Sequence, residues 1–347
     1  MAPDTNRSTK KRLSSRLTLF VLLALALALT APPGWSQLVP GSMDVHWDEG
    51  SPKCAKDPQP RLQEHPFNTR TIILRENLCT TFEAPFMYLL IGSTKALLVP
   101  LAGTVMRLLP GEGPAKLPLL VVHTHRHLDH RAGDPQFALF SNTQVVGFDI
   151  DSVRRYYKFT DWPNGLAQVD LGDRMVDVLP TPGHNDTEVA FYDRSTGLLL
   201  TGDFLMPARL LIDDTSADLA SAERVAAFAK DRPISFALGG HIEVNSAGDL
   251  FPWESQYHPH EHILQMTKDD VLALPAAVNT FNCFYTVHGK FTMENSTRIL
   301  IAFAVLVLVV AVAVVWTFVR YIQRRRRARK LRAESYQLPR SISTEKR

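Results

Sequence analysis

Short apolar runs separated by polar turns fill the chain between residues 71 and 238. Thr71–Arg75, Phe86–Ile91 and Ala96–Val99 are β-branched or aromatic stretches bounded by turn residues, which predicts strands. Leu119–His123, Val176–Leu179, Val189–Tyr192, Leu198–Thr201 and Ile234–Leu238 have the same character. Asp149–Tyr157 and Ser216–Lys230 place apolar residues at helical spacing, and a further helix is expected to open near Glu261. Residues 37–70 are rich in proline and charge without any period, and read as an extended lead-in. Strands mixed with helices, with polar clusters at several strand ends, predict a layered α/β (α+β) arrangement with its site along one sheet edge.

The two ends differ from this middle. Residues 1–16 are polar and basic, with Lys10, Lys11, Arg12 and Arg16, and Leu17 to Leu29 is an apolar run of thirteen. That is short of the roughly 20 residues a spanning helix needs. With Gly34 and Ser36 behind it, 1–36 reads as a secretory signal cut before Gln37, or else as a retained signal anchor. Ile299 to Val319 is a run of 21 residues without a charge, followed by Arg320, Arg324–Arg327, Arg329 and Lys330. Length and the positive-inside rule predict a single transmembrane helix over 299–319, with 320–347 a basic cytoplasmic tail, polar and disordered from 331. A buried core helix fits this charge pattern poorly. Residues 37–297 are then an extracytoplasmic domain, periplasmic or at the cell surface.

Composition refines this picture little. A chain of 347 residues with 45% hydrophobic content has room for a sizeable core. Its net charge of +3 sits at the ends, and no basic and aromatic residues interleave, so a nucleic-acid partner is not expected. Cys54, Cys79 and Cys283 lack metal-site spacing. In an exported domain Cys54 and Cys79 can pair, with buried free thiols the other possibility. Oligomeric state is left open.

The chemistry concentrates at Thr124-His125-Arg126-His127-Leu128-Asp129-His130-Arg131-Ala132-Gly133. A buried strand ending in H-x-H-x-D-H sends alternate side chains to one side and brings the last two round to a neighbouring point. Imidazoles with a carboxylate suit zinc. Downstream, Thr181-Pro182-Gly183-His184, Thr201-Gly202-Asp203 and Gly239-Gly240-His241 each end a β-run in a small-residue turn carrying one His or Asp. Tyr257-His258-Pro259-His260-Glu261-His262 is a second polar cluster, read as a solvated loop or a substrate mouth. Glu243 and Glu254 stand close in sequence to the last ligand, with no direction set. Asn295-Ser296-Thr297 has the pattern of a glycosylation acceptor.

These boxes, in this order, resemble the metallo-β-lactamase superfamily over about residues 70 to 245. The resemblance implies an αββα sandwich of two mixed sheets, here with a C-terminal transmembrane helix added. It also implies that His125, His127 and His184 hold one metal, that Asp129, His130 and His241 hold a second, and that Asp203 bridges them. The cofactor so implied is two Zn²⁺, with Fe or Mn as alternatives. Asp129 and Asp203 are the implied catalytic carboxylates. His127 stands where the flavodiiron branch has glutamate. Asp203, rather than cysteine or serine, looks like the glyoxalase II, lactonase and phosphodiesterase branches. Asp203 and His241 are 38 positions apart, too few for the insert of the nucleic-acid-cleaving branch. Two departures stand out. Leu98-Val99-Pro100-Leu101 lacks the aspartate usual at the end of an early strand, and Asn185-Asp186-Thr187-Glu188 replaces the usual residues after the third box.

The function expected is a membrane-anchored dizinc hydrolase that uses a metal-bridging hydroxide on a small-molecule ester, lactone, thioester, amide or phosphodiester. The alternatives are an iron-dependent oxidoreductase of the same fold and a non-catalytic metal-binding module.

Overall fold

A computed structural model describes residues 37–99 and 105–337. The expected signal over 1–36, Pro100 and Leu101 of the departing early strand, and residues 338–347 of the tail lie outside the described residues. From Pro40 onward the chain is one compact unit.

Two six-stranded sheets carry the fold. The first runs β1 (Leu62–Asn68), β2 (Thr71–Glu76), β3 (Phe86–Ile91), β4 (Ala96–Val99), β5 (Leu119–Val121) and β6 (Thr143–Val145), in that spatial order. The second is built from β7 (Ala167–Asp170), β8 (Met175–Pro180), β9 (Val189–Asp193), β10 (Leu198–Gly202), β12 (Phe236–Gly239) and β13 (Gln265–Met266), in the order β13-β12-β10-β9-β8-β7. Only β4–β5, β5–β6 and β10–β12 are parallel within these sheets. A small third sheet sets β15 (Phe291–Glu294) between β11 (Arg209–Leu211) and β14 (Tyr285–His288).

Strand periodicity explains the layers. In β3 and β4, Tyr88, Leu90, Leu97 and Val99 point to one side, where they meet Val178, Phe191, Leu200 and Leu238 of the second sheet. Their neighbours Met87, Leu89, Leu98 and Ala96 point the other way, onto α1 (Val105–Leu108) and α2 (Asp134–Phe137). The outer face of the second sheet, with Ala190, Tyr192 and Leu199, packs on α4 (Thr215–Lys230) and α5 (Lys268–Val278). The central strands of each sheet, β3–β5 and β9–β10, are buried on both faces and read as continuous apolar runs, whereas the edge strands β1, β6 and β7 are partly exposed. The result is the expected helix–sheet–sheet–helix sandwich.

Local signals set the helix starts. Asp149 caps α3 (Ile150–Tyr157) through Ser152 N–H, and Asp214 caps α4 through the N–H groups of Ser216 and Ala217. The helix expected near Glu261 begins instead at Lys268, where Thr267 and Asp270 form a reciprocal capping box. The lead-in also departs from expectation. Leu62–Asn68 is a strand that pairs with β2, and Cys54 and Cys79 form a disulfide that ties the preceding loop to the β2–β3 connection.

Helix α6 (Ser296–Gln337) contains the whole predicted apolar segment and continues through the arginines, so residues 331–337 are helical rather than disordered. It is exposed along its length and is a candidate membrane span.

Candidate metal centre

Strand β5 stops at Val121, two residues short of the expected end. The chain then leaves the sheet, and Leu128–His130 form a single 3₁₀ turn. This break lets four side chains of one short box reach a common point. His123 is not among them: it is buried and pairs with Asp134 at 2.8 Å. His184, Asp203 and His241 follow β8, β10 and β12. All seven predicted residues therefore gather at one edge of the sandwich.

The edge is closed by backbone contacts between the sheets. Val189 N donates to Thr124 O at 2.8 Å, Phe86 N to Gly240 O at 2.8 Å, and Tyr88 Oη to Gly239 O at 2.6 Å. Two glycines make this approach possible. A Cβ on Gly240 would lie 2.4 Å from Asp203 Oδ1. Gly202, at φ +54, would meet the Thr124 side chain at 2.6 Å.

The seven side chains form two groups. His125, His127 and His184 each offer one nitrogen to the first, and Asp129, His130, Asp203 and His241 form the second, the ligand atoms within each group lying within 4.8 Å of one another. In the first, His127 Nδ1 lies 3.0 Å from both His125 Nε2 and His184 Nε2. In the second, Asp129 Oδ2 lies 2.9 Å from His130 Nε2 and 3.3 Å from His241 Nε2. Asp203 turns one oxygen to each group. Its Oδ2 is 3.8 and 3.6 Å from His125 and His184, and its Oδ1 is 3.2 and 3.5 Å from His130 and His241.

Backbone carbonyls orient two of the rings. His184 Nδ1–H donates to Leu211 O at 2.8 Å, and His241 Nδ1–H donates to Glu83 O at 2.6 Å. Each bond leaves Nε2 as the lone pair facing the cluster. No side-chain motif announces these carbonyls.

The electrostatics of the groups are opposite. Burial lowers His125 well below the usual imidazole range, and the neighbouring rings add to it; burial and His184 lower His127 likewise. In the second group burial also opposes charge, but Asp203 and Asp129 overcome it and push His130 up to about 10 and His241 up to about 9. Those rings in turn hold Asp129 and Asp203 below the ordinary carboxylate range against their own burial. Behind them Glu188 is fully buried, and burial, reinforced by Asp203 and Asp218, raises it well above the carboxylate range. Its Oε1 accepts from Asp203 N–H at 3.2 Å and lies 3.9 Å from His125 Nδ1.

The donor set fits divalent cations. Three imidazole nitrogens converging at 3.0 Å cannot all satisfy one another, because a neutral ring has one N–H and that of His184 already goes to Leu211. A tetrahedral cation with Zn–N of ~2.0–2.1 Å spaces its ligand nitrogens by about 3.3 Å, close to what is found. Asp203 Oδ1 is buried without a well-directed hydrogen bond, the state of an oxygen meant for a cation. Five imidazoles and two carboxylates suit zinc, and iron or manganese as well.

The other polar signals separate from this cluster. Glu261 is buried in a bidentate pair with Arg75 at 2.6 and 2.7 Å, and His258 Nδ1 sits 2.9 Å from the same carboxylate, stacked on Phe251. That part of 257–262 is structural. Glu243 pairs with Arg209 at 3.1 Å, and Glu254 is exposed. The Asn295 amide is buried and bonded, which leaves no free nitrogen for a glycan.

Residues 83–241 match the family described as the Metallo-beta-lactamase superfamily. The acyl-coenzyme A thioesterase MBLAC2 of Homo sapiens is 26% identical over 178 residues, 42% of this chain and 64% of the relative. A hydroxyacylglutathione hydrolase of Cereibacter sphaeroides is 31% identical over 118 residues, 33% of this chain and 44% of the relative. The chain thus spans less than two thirds of the length of these curated relatives. Among solved structures, a metallo-beta-lactamase from Pontibacter korlensis aligns over 62% of this chain and 99% of its own, at TM-score 0.43 and 14% identity. The relatives are hydrolases, and this chain has the metallo-β-lactamase fold, a mixed α/β sandwich with two groups of His and Asp side chains at its edge that could hold metal ions.

Proposed function

We propose that this chain is a membrane-anchored dizinc hydrolase whose domain, residues 37–297, faces away from the cytoplasm and cleaves an acyl–thiol ester. The observation that carries the reading is Asp203, with one oxygen toward each of two ligand groups. His125, His127 and His184 would hold one cation and Asp129, His130 and His241 the other, with Asp203 shared. When bound, such a pair supplies Lewis-acid polarisation of a carbonyl and water ionised near neutral pH.

The chain's own groups do the rest. Asp129 is half-buried and lines a recess of about 360 Å³ with Thr81, Phe82, Pro85, Leu128 and Ala132. A substrate carbonyl reaches the cluster through that recess, so Asp129 is the base placed to take a proton from the attacking water. Phe82, Pro85 and the exposed Leu128 offer apolar surface to an acyl chain. Glu76 and Glu83 in the same lining repel phosphates. Acyl–thiol substrates are favoured among the esters, lactones, amides and phosphodiesters this chemistry serves, because both curated relatives are named for them.

Placement at the membrane rests on α6 as a span, on the arginines after it, and on the Cys54–Cys79 disulfide, which suits an oxidising compartment. A reporter fused after Arg347 is expected on the cytoplasmic side and a tag at Gln37 on the other.

The test is metal content of the purified full-length chain, with hydrolysis of a thioester, a lactone, a phosphodiester and a cephalosporin. Two zinc per chain and fastest turnover of the thioester are expected. A cephalosporin turned over fastest, or bound iron with oxygen consumption, overturns the reading.

A further inference from the structure

The loop after β11 wraps around His184. Leu211 O accepts from His184 Nδ1 at 2.8 Å, and the N–H groups of Asp213 and Asp214 donate to Gly183 O at 3.0 and 2.9 Å. The residue before the ligand and the ligand ring itself are therefore both held by residues 211–214. What holds that loop comes from the far end of the chain. Strand β15 pairs in parallel with β11, Leu211 opposite Glu294, and Ile212 N donates to Glu294 O at 2.8 Å. The next residue is Asn295, only 3% exposed. Its Nδ2 donates to Ile212 O at 2.7 Å and to Asp213 O at 3.3 Å.

The same side chain starts the apolar helix. Asn295 Oδ1 accepts from Arg298 N at 2.9 Å and its carbonyl accepts from Ile299 N at 3.1 Å, the pattern of a helix cap. One amide group thus caps α6 with its oxygen and fastens the His184 loop with its nitrogen.

We propose that Asn295 is a positioning residue for His184, coupling the base of the candidate membrane helix to the first ligand group. The proposal rests on the reading of that group as a metal site. A shift of the helix base relative to the sandwich pulls on Ile212 and Asp213, and through them on Leu211 O and Gly183 O. Groups hydrogen-bonded directly to a ligand, as Leu211 O is to His184, change metal affinity by about 10–100-fold when lost; Asn295 stands one step further out, so its effect falls at or below the lower end of that range.

The two roles of the amide separate by substitution. Asn295→Asp keeps an oxygen for Arg298 N–H and loses the donor to Ile212 and Asp213; Asn295→Gly, also tolerated at a helix cap, removes the donor without adding charge if the aspartate variant fails to fold. Thr297→Ala destroys the glycosylation pattern and leaves every bond above in place. The experiment titrates Co²⁺ into the metal-stripped full-length chain in detergent micelles, following the absorption of each site, and measures amide exchange at Asp213 and Asp214 before metal is added. Asn295→Asp or Asn295→Gly is expected to weaken the first site by about threefold to tenfold, to leave the second within about twofold, and to speed exchange of the two amides. Thr297→Ala should match the wild type. Wild-type affinity and exchange in the Asn295 variants overturn the proposal, as does an equal loss in Thr297→Ala. A wild-type chain that binds no Co²⁺ instead refutes the metal-centre reading, and the exchange rates still decide whether Asn295 holds the loop.

Discussion

The two ligand groups share one carboxylate and one sheet edge, yet they are built on opposite electrostatics. The first is three imidazoles, and burial, aided by the neighbouring rings, lowers His125 and His127 below the usual imidazole range. The second pairs two imidazoles with two carboxylates, which retain protons on the rings well into the alkaline range. A cation entering the first group meets lone pairs. One entering the second must displace protons first. The folded chain thus presents one site ready for metal and one where metal and protons compete, which predicts stepwise loading.

The severest break of that arrangement is loss of the shared carboxylate. Asp203→Ala is expected to lower metal content in both groups and to reduce turnover by about 10³-fold or more, measured by metal analysis and steady-state kinetics. Full metal occupancy in this variant would place the bridge elsewhere. Next in size are the single-group variants. His184→Ala should empty only the first group and His241→Ala only the second, each lowering turnover by about 10²-fold. Loss of both metals from either variant would mean that the groups are not separable.

A smaller effect tests the proton competition itself. Zinc titrated at pH 7 should release close to no proton on filling the first group and up to two on filling the second, read by calorimetry in buffers of different ionisation heat. The sign in the metal-free chain follows from the same shifts. His130 and His241 are raised above their unfolded value near ~6.5, so their stabilisation is complete below that pH. It is lost as pH rises through about 9 and about 10. The melting temperature of the metal-stripped chain should therefore fall between pH 6.5 and 10, and zinc should flatten the fall. The mildest test is Glu188→Gln. A glutamate kept protonated beside the first group is mimicked by glutamine, so activity should stay within about twofold. A large loss would show that this carboxyl works ionised.

Much of this was legible in the sequence, with characteristic gaps. Strands β3 and β4 run as their apolar patterns predict, because residues buried on both faces leave a continuous signal. Strands β1, β6, β7, β11, β13, β14 and β15 escaped notice. Leu62–Asn68 mixes charge with proline, and the others are two to four residues long, below the length at which a period can be seen. All seven predicted residues meet, four read from the single box at 124–133 and three each from its own turn. Their supports were invisible, because Leu211 and Glu83 act through backbone carbonyls that any residue supplies. His258 and Glu261 show the reverse error: a polar cluster that suggests a site is consumed by Arg75, 183 or more positions away in sequence.

By itself the sequence determined the sandwich, the seven candidate ligands and the long apolar helix, since each is written in local pattern: apolar runs for strands, one box and three turn-borne donors for the candidates, an uncharged run for the helix. Only the tertiary structure decided that Asp203 faces both groups, that burial lowers His125 and His127 while carboxylates raise His130 and His241, and that Asn295 joins the helix to His184. Those properties depend on distances between residues far apart in the chain, and on the burial that makes such distances electrostatically strong.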